Sequence, residues 1–176
     1  LKNAYFGDLH VHTSYSFDAY AKNVQTTPTQ AYAFAKGETI YLPPLSAQGE
    51  PTTPTKLERA LDFAAITDHA EFFGEVQVCL DPNAPGYTST VCETFRKQNN
   101  QSTVTFGLKL AAQTPERFSF CDGEEDITCL NKASTVWRSI QDAAEAAYEL
   151  APTGEDDATK SPSETRTSNP EADSET

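Results

Sequence analysis

Two short apolar runs in this chain stop at histidine-bearing polar motifs, and that arrangement limits the available folds more tightly than any other feature. The first run, with Tyr5, Phe6, Leu9 and Val11, carries His10 and His12 and gives way to Thr13, Ser14 and Ser16. The second begins at Asp62-Phe63, runs through Ala64, Ala65, Ile66 and Thr67, and stops at Asp68 and His69. Brief apolar runs bounded by polar residues read as strands, so the first strand is expected to end near His12 and the second, buried one at Asp68. Between them, Thr27-Pro28 is a helix-start signal, since Thr can cap the helix and Pro fits its first turn. Ala31, Phe34 and Ala35 fall on one face of that helix, and Gly37 closes it after Lys36. Strands alternating with helices define an α/β fold.

The rest of the pattern is less regular. Residues 41–55, rich in Pro and Thr, read as a loop, and Lys56 to Leu61, with Leu57 and Leu61 one turn apart, as a short helix feeding the second strand. Residues 88–98 and 102–112 read as helices diluted by Thr and Val. From Ser134 onward, Val136, Trp137, Ile140, Ala143, Ala144 and Ala147 form an apolar stripe at helical spacing, which places Trp137 in the core. Beyond Leu150 the composition changes: residues 155–176 hold seven acids against Lys160 and Arg166, with almost nothing apolar. A segment of that kind cannot offset its ordering entropy, so residues 1–149 are expected to fold and 150–176 to form a disordered acidic tail. The absence of Met and the start at Leu1 suggest a processed or excised piece of a longer product.

A net charge of −13 argues against nucleic acid and anionic membrane surfaces as partners. No apolar run is long enough to cross a bilayer. The histidines point elsewhere. On a strand, residues i and i+2 share a face, so His10 and His12 can aim at one point, with Asp8 in register and Asp18 in the following loop. His69 ends the second strand, and strand ends of an alternating fold are where sites assemble. Imidazoles grouped with carboxylates suit a divalent metal.

Residues 5–19, Tyr-Phe-Gly-Asp-Leu-His-Val-His-Thr-Ser-Tyr-Ser-Phe-Asp-Ala, and 61–75, Leu-Asp-Phe-Ala-Ala-Ile-Thr-Asp-His-Ala-Glu-Phe-Phe-Gly-Glu, resemble motifs one and two of the PHP (polymerase and histidinol phosphatase) superfamily. The likeness continues through residues 136–148 and covers about residues 4–149; the Thr-Asp-His-Ala-Glu variant is similar to a secreted bacterial branch. The resemblance implies the N-terminal part of a distorted (β/α) barrel. It also implies two or three divalent ions in a complete member, zinc, manganese or iron, and a metal-activated water that hydrolyses a small-molecule phosphoester or related substrate. His10, His12 and His69 match metal ligands of the family. Asp18 matches the acid after the first motif, at a spacing one residue longer than the simplest Ser-Asp form. Asp68 is expected to orient a ligand or water, and Glu71 has no assigned role. The family pattern continues with a Glu, further His ligands and a late Asp-x-His, which this chain lacks, so an incomplete site with little or no turnover is expected. Two strands cannot close a barrel, so an exposed apolar edge and self-association are expected too. The alternative is a degenerate, non-catalytic, metal-binding secreted protein.

Cys79, Cys92, Cys121 and Cys129 allow three pairings, and none has Cys-x-x-Cys spacing. Locality favours 79 with 92 and 121 with 129, in an oxidising compartment; four free cytosolic thiols are the other possibility. The resemblance to a secreted branch favours a periplasmic or extracellular location.

Overall fold

The computed structural model describes residues 3–114, 116–122 and 126–149; the tail expected over 150–176 lies outside the described residues. Among the described residues the structure is mixed α/β, with two small sheets and six α-helices joined by short connections. The element order is β1 (Gly7–Val11), α1 (Phe17–Ala21), α2 (Pro28–Ala35), β2 (Ile40–Leu45), β3 (Pro51–Thr55), β4 (Phe63–Ile66), α3 (Phe73–Leu80), α4 (Thr90–Phe95), α5 (Asn100–Leu110) and α6 (Asp126–Glu149). Short 3-10 turns at Ala70–Phe72 and Ser119–Cys121 precede α3 and α6.

β1 and β4 pair in parallel, as alternation through α2 demands, and among the described residues no closed barrel forms. The register pairs Gly7 with Phe63, Asp8 with Ala64 and Val11 with Ile66, so β1 carries one more residue than β4 between the last two pairs. That bulge breaks strict alternation along β1, and the Asp8 carboxylate accepts the His10 backbone N–H at 2.9 Å. Tyr5, Phe6, Leu9 and Phe63 are exposed on and beside this sheet, an apolar surface of the kind expected from two strands standing without neighbours.

α2 begins and ends where its sequence signals stand. Thr27 Oγ1 accepts from Gln30 N, Gln30 Oε1 accepts from Thr27 N at 2.9 Å, and Pro28 occupies the first turn. At the other end Gly37 adopts φ +82°, a left-handed conformation costly to any side chain. The Pro- and Thr-rich stretch is not a loop: β2 and β3 form an antiparallel hairpin, with a cis bond between Pro43 and Pro44 where the register slips. Proline tolerates such a two-stranded ribbon because half of its backbone groups face outward and need no partner. Residues 56–61 form bends rather than a helix, since the hairpin must be brought back to β4 over that short distance.

The core lies among the helices. Phe17, Phe72, Phe95, Phe106 and Phe118 are all nearly inaccessible, and their rings meet at centroid distances of 4.5 to 5.8 Å. Disulfides Cys79–Cys92 and Cys121–Cys129 staple α3 to α4 and the second 3-10 turn to α6, which is the local pairing. The buried carboxylate of Glu75 accepts from Arg117 Nε at 2.9 Å. α6 starts at Asp126, well before Ser134: the Cys121–Cys129 bridge and the packing of α3 hold a first stretch whose own helix propensity is modest. Trp137 is 54% exposed rather than in the core. Val136 and Ala143 define the buried face, and the residue after Val136 lies a quarter turn or so away on the helix rim.

Two glycines separate close packing from open space. A Cβ on Gly74 would lie 2.3 Å from the Cys129 carbonyl oxygen, whereas one on Gly107, inside α5, would meet nothing within 4 Å. Gly74→Ala is expected to force α3 from α6 and cost about 1–3 kcal/mol, while Gly107→Ala gains about 0.5–1 kcal/mol, both read from urea unfolding midpoints. A second clamp joins the same helices: Lys132 Nζ donates to Asp81 Oδ2 at 2.6 Å. This hydrogen bond and that from Asn83 N–H hold the Asp81 carboxyl below its ordinary pKa. Because the folded value is the lower one, the contribution is present above the unfolded pKa and lost as pH falls through the folded value. Lys132→Ala is expected to return Asp81 toward the ordinary value in a side-chain carboxyl NMR titration.

Candidate metal centre

Both motifs sit just past the C-terminal ends of the paired strands. Thr67 N–H donates to the Val11 carbonyl at 2.8 Å, so the two chains stay in step one residue beyond the sheet before diverging. His12 follows β1, His69 follows β4 by three positions, and Asp18 lies in the first turn of α1. Donor atoms of His12, Asp18 and His69 all fall within 4.8 Å of one another. His12 Nδ1 is 3.0 Å from Asp18 Oδ2, and His69 Nε2 is 3.9 Å from the same oxygen. The His12 and His69 rings meet edge to face with centroids 5.0 Å apart.

His10 stands next to this group without joining its donor set. Its ring stacks on His12 at 4.8 Å and it is exposed, while Asp8 is occupied by the His10 backbone as described above. Asp68 takes both of its hydrogen bonds from Thr13, from N–H at 2.5 Å and from Oγ1 at 2.7 Å. Its carboxylate thus fixes the loop that leads to Asp18.

Two residues that read in the sequence only as strand terminators turn out to organise the site. Thr13 and Ser16 are fully buried. Ser16 Oγ donates to Asp18 Oδ1 at 2.6 Å and accepts the His69 backbone N–H at 2.9 Å. Each motif therefore grips the other: Ser16 of the first holds His69 of the second, and Asp68 of the second holds Thr13 of the first. The signal available in the sequence was Thr-x-x-Ser-x-Asp after the histidines, polar residues too closely spaced to be a simple loop. Glu71 also acquires a place, with Oε2 3.4 Å from His69 Nδ1.

The electrostatics follow from these contacts. Burial works to raise the Asp18 pKa, but hydrogen bonds from Ser16 and His12, the His12 charge and the Ala19 N–H together hold it below the ordinary value. For Asp68 burial prevails over the Thr13 hydrogen bonds, and its pKa is raised. His69 leans on Phe17 with ring centroids 5.1 Å apart, so the rim of the aromatic core limits its ring.

Two imidazoles and a carboxylate form a donor set that zinc, manganese or iron accepts. Zinc holds such ligands at about 2.0–2.2 Å, so the group would draw inward on binding. Carboxylates stand beside both rings: Asp18 Oδ2 faces His12 Nδ1, and Glu71 Oε2 faces His69 Nδ1 on the side away from Asp18.

Ser16→Ala removes a buried donor to a carboxylate and the acceptor for the His69 N–H. It is expected to cost about 1.5–3 kcal/mol in urea unfolding, and to strip the His69 amide of its protection from hydrogen exchange.

No curated protein and no solved structure matches the chain. A family model described as "Protein of unknown function (DUF3604)" matches residues 1–153, a span that contains both motifs, the aromatic core and all four cysteines. The chain belongs to the DUF3604 family.

Proposed function

We propose that this chain carries part of the metal site of a PHP-type hydrolase acting on a phosphoester or related bond, with β1 and β4 as neighbouring strands of a (β/α) barrel. The observation that supports it is the convergence of His12, His69 and Asp18 from two motifs far apart in sequence. Parallel pairing of the strands and the position of the donors at their C-terminal ends support the barrel reading. The two disulfides support a periplasmic or extracellular setting.

A bound ion would act as a Lewis acid that lowers the pKa of a water and offsets phosphoryl charge. The chain's own residues do the holding. His12, His69 and Asp18 supply the donors, Glu71 faces His69 Nδ1, and Ser16 keeps Asp18 and His69 in one geometry. The strongly acidic surface would otherwise repel an anionic substrate, and only a cation between these donors reverses the local field. His10, stacked on His12 but outside the donor group, is placed to serve a second ion if further donors are supplied.

A second reading has its own support. The described donor group has three members, and His10 is outside it. That favours a single-ion, non-catalytic metal binder.

Zinc and manganese titrations followed by imidazole nitrogen NMR, with hydrolysis of bis-(p-nitrophenyl) phosphate and p-nitrophenyl phosphate, separate the readings. His12 and His69 are expected to respond together at one equivalent. Asp18→Asn should weaken binding about 10- to 100-fold, while His10→Ala should leave the first equivalent nearly intact. Hydrolysis that depends on metal and on His12 supports the enzyme, binding without hydrolysis supports the second reading, and independent responses of the two rings overturn both.

A further inference from the structure

Between the β1–β4 sheet and the layer made by α2 and β2 lies a cavity of about 490 Å³. Its walls are mostly apolar, with Val11 and Ile66 from the sheet, Ala31 and Phe34 from α2, Leu42 from β2 and Leu61 from the segment before β4. It is open to solvent on one side, and its volume falls within the roughly 300–1,000 Å³ of small-molecule sites. It is also elongated. The wall runs along β1 from Gly7 to His12, about 16 Å at the rise of a strand.

The charge of the walls selects the occupant. They include Asp8 and neither lysine nor arginine, so an anion is repelled from the interior. The β1 bulge is what brings Asp8 and Val11 to the same wall. One end of the wall is His12, the residue whose ring also lies against His69 and Asp18. The cavity and the donor group thus share a residue.

We infer that this cavity is a substrate subsite for an uncharged alkyl or aryl group, whose ester linkage reaches the donor group at the His12 end. The substrate class is then a phosphoester of an apolar alcohol: the anionic phosphoryl group stays among His12, His69 and Asp18, and the hydrocarbon fills the slot. This rests on the metal-site reading for the phosphoryl end and on the cavity alone for the hydrocarbon end.

The test compares hexylphosphonate with methylphosphonate binding to the full chain saturated with zinc, by calorimetry and by NOEs to methyl groups. Hexylphosphonate is expected to bind about tenfold tighter or better, because each methylene removed from water adds to affinity. Its chain should show NOEs to Val11 and Ile66. Ala31→Phe or Ala35→Phe, which fill the slot from α2, should abolish that advantage while leaving zinc affinity unchanged. Equal affinities, or NOEs confined to the exposed Phe6 and Leu9, overturn the subsite and leave the metal reading standing. If zinc fails to bind, the metal reading falls by itself and hexan-1-ol decides the slot: NOEs to Val11 and Ile66 support it, and their absence overturns it.

Discussion

The reciprocal grip between the two motifs is the interaction on which the rest depends. β1 and β4 share only a short parallel ladder, exposed on one side, and such a pair has little stability of its own. What fixes the geometry past the strand ends is buried hydrogen bonding to charge: Thr13 to Asp68, and Ser16 to Asp18 while accepting from His69. Bonds of this kind in a partly desolvated place are stronger than neutral ones and sharply directional. They settle where two imidazoles and a carboxylate sit before any ligand arrives.

The aromatic core gives that grip a firm base on one side only. α1 brings Asp18 because Phe17, its neighbour, is wedged among Phe72 and Phe106, and His69 rests on the same ring. His12, by contrast, follows a strand whose sheet is separated from α2 and β2 by a cavity of about 490 Å³.

Much of this was legible in the residues. Thr27-Pro28 and Gly37 bounded α2 because capping and left-handed φ are local requirements, and the two histidine motifs ended parallel strands because alternation through a helix leaves that as the natural pairing. The cysteines paired locally for the reason that short loops close easily. Other features had no local signature. A Pro- and Thr-rich ribbon looks like a loop until its cross-strand partners are known, and the start of α6 was hidden because a disulfide and a neighbouring helix, not propensity, hold it. Trp137 lay on the boundary of its stripe, where a single helical step decides between core and solvent. The β1 bulge interrupts the alternation that had put Asp8 in register with the histidines, and Asp8 lies outside the donor group. Ser16 and Thr13 were visible only as polar punctuation, since their importance comes from partners more than fifty positions away.

One consequence follows from where the donors are mounted. His69 and Asp18 are seated against the ring-filled core, and His12 just past the end of β1. The set of donor atoms bridges the seam between the aromatic core and the two-stranded sheet. A shift of β1 against the aromatic core would change the spacing of the imidazoles, and the Thr13–Asp68 and Ser16–His69 hydrogen bonds are what oppose it.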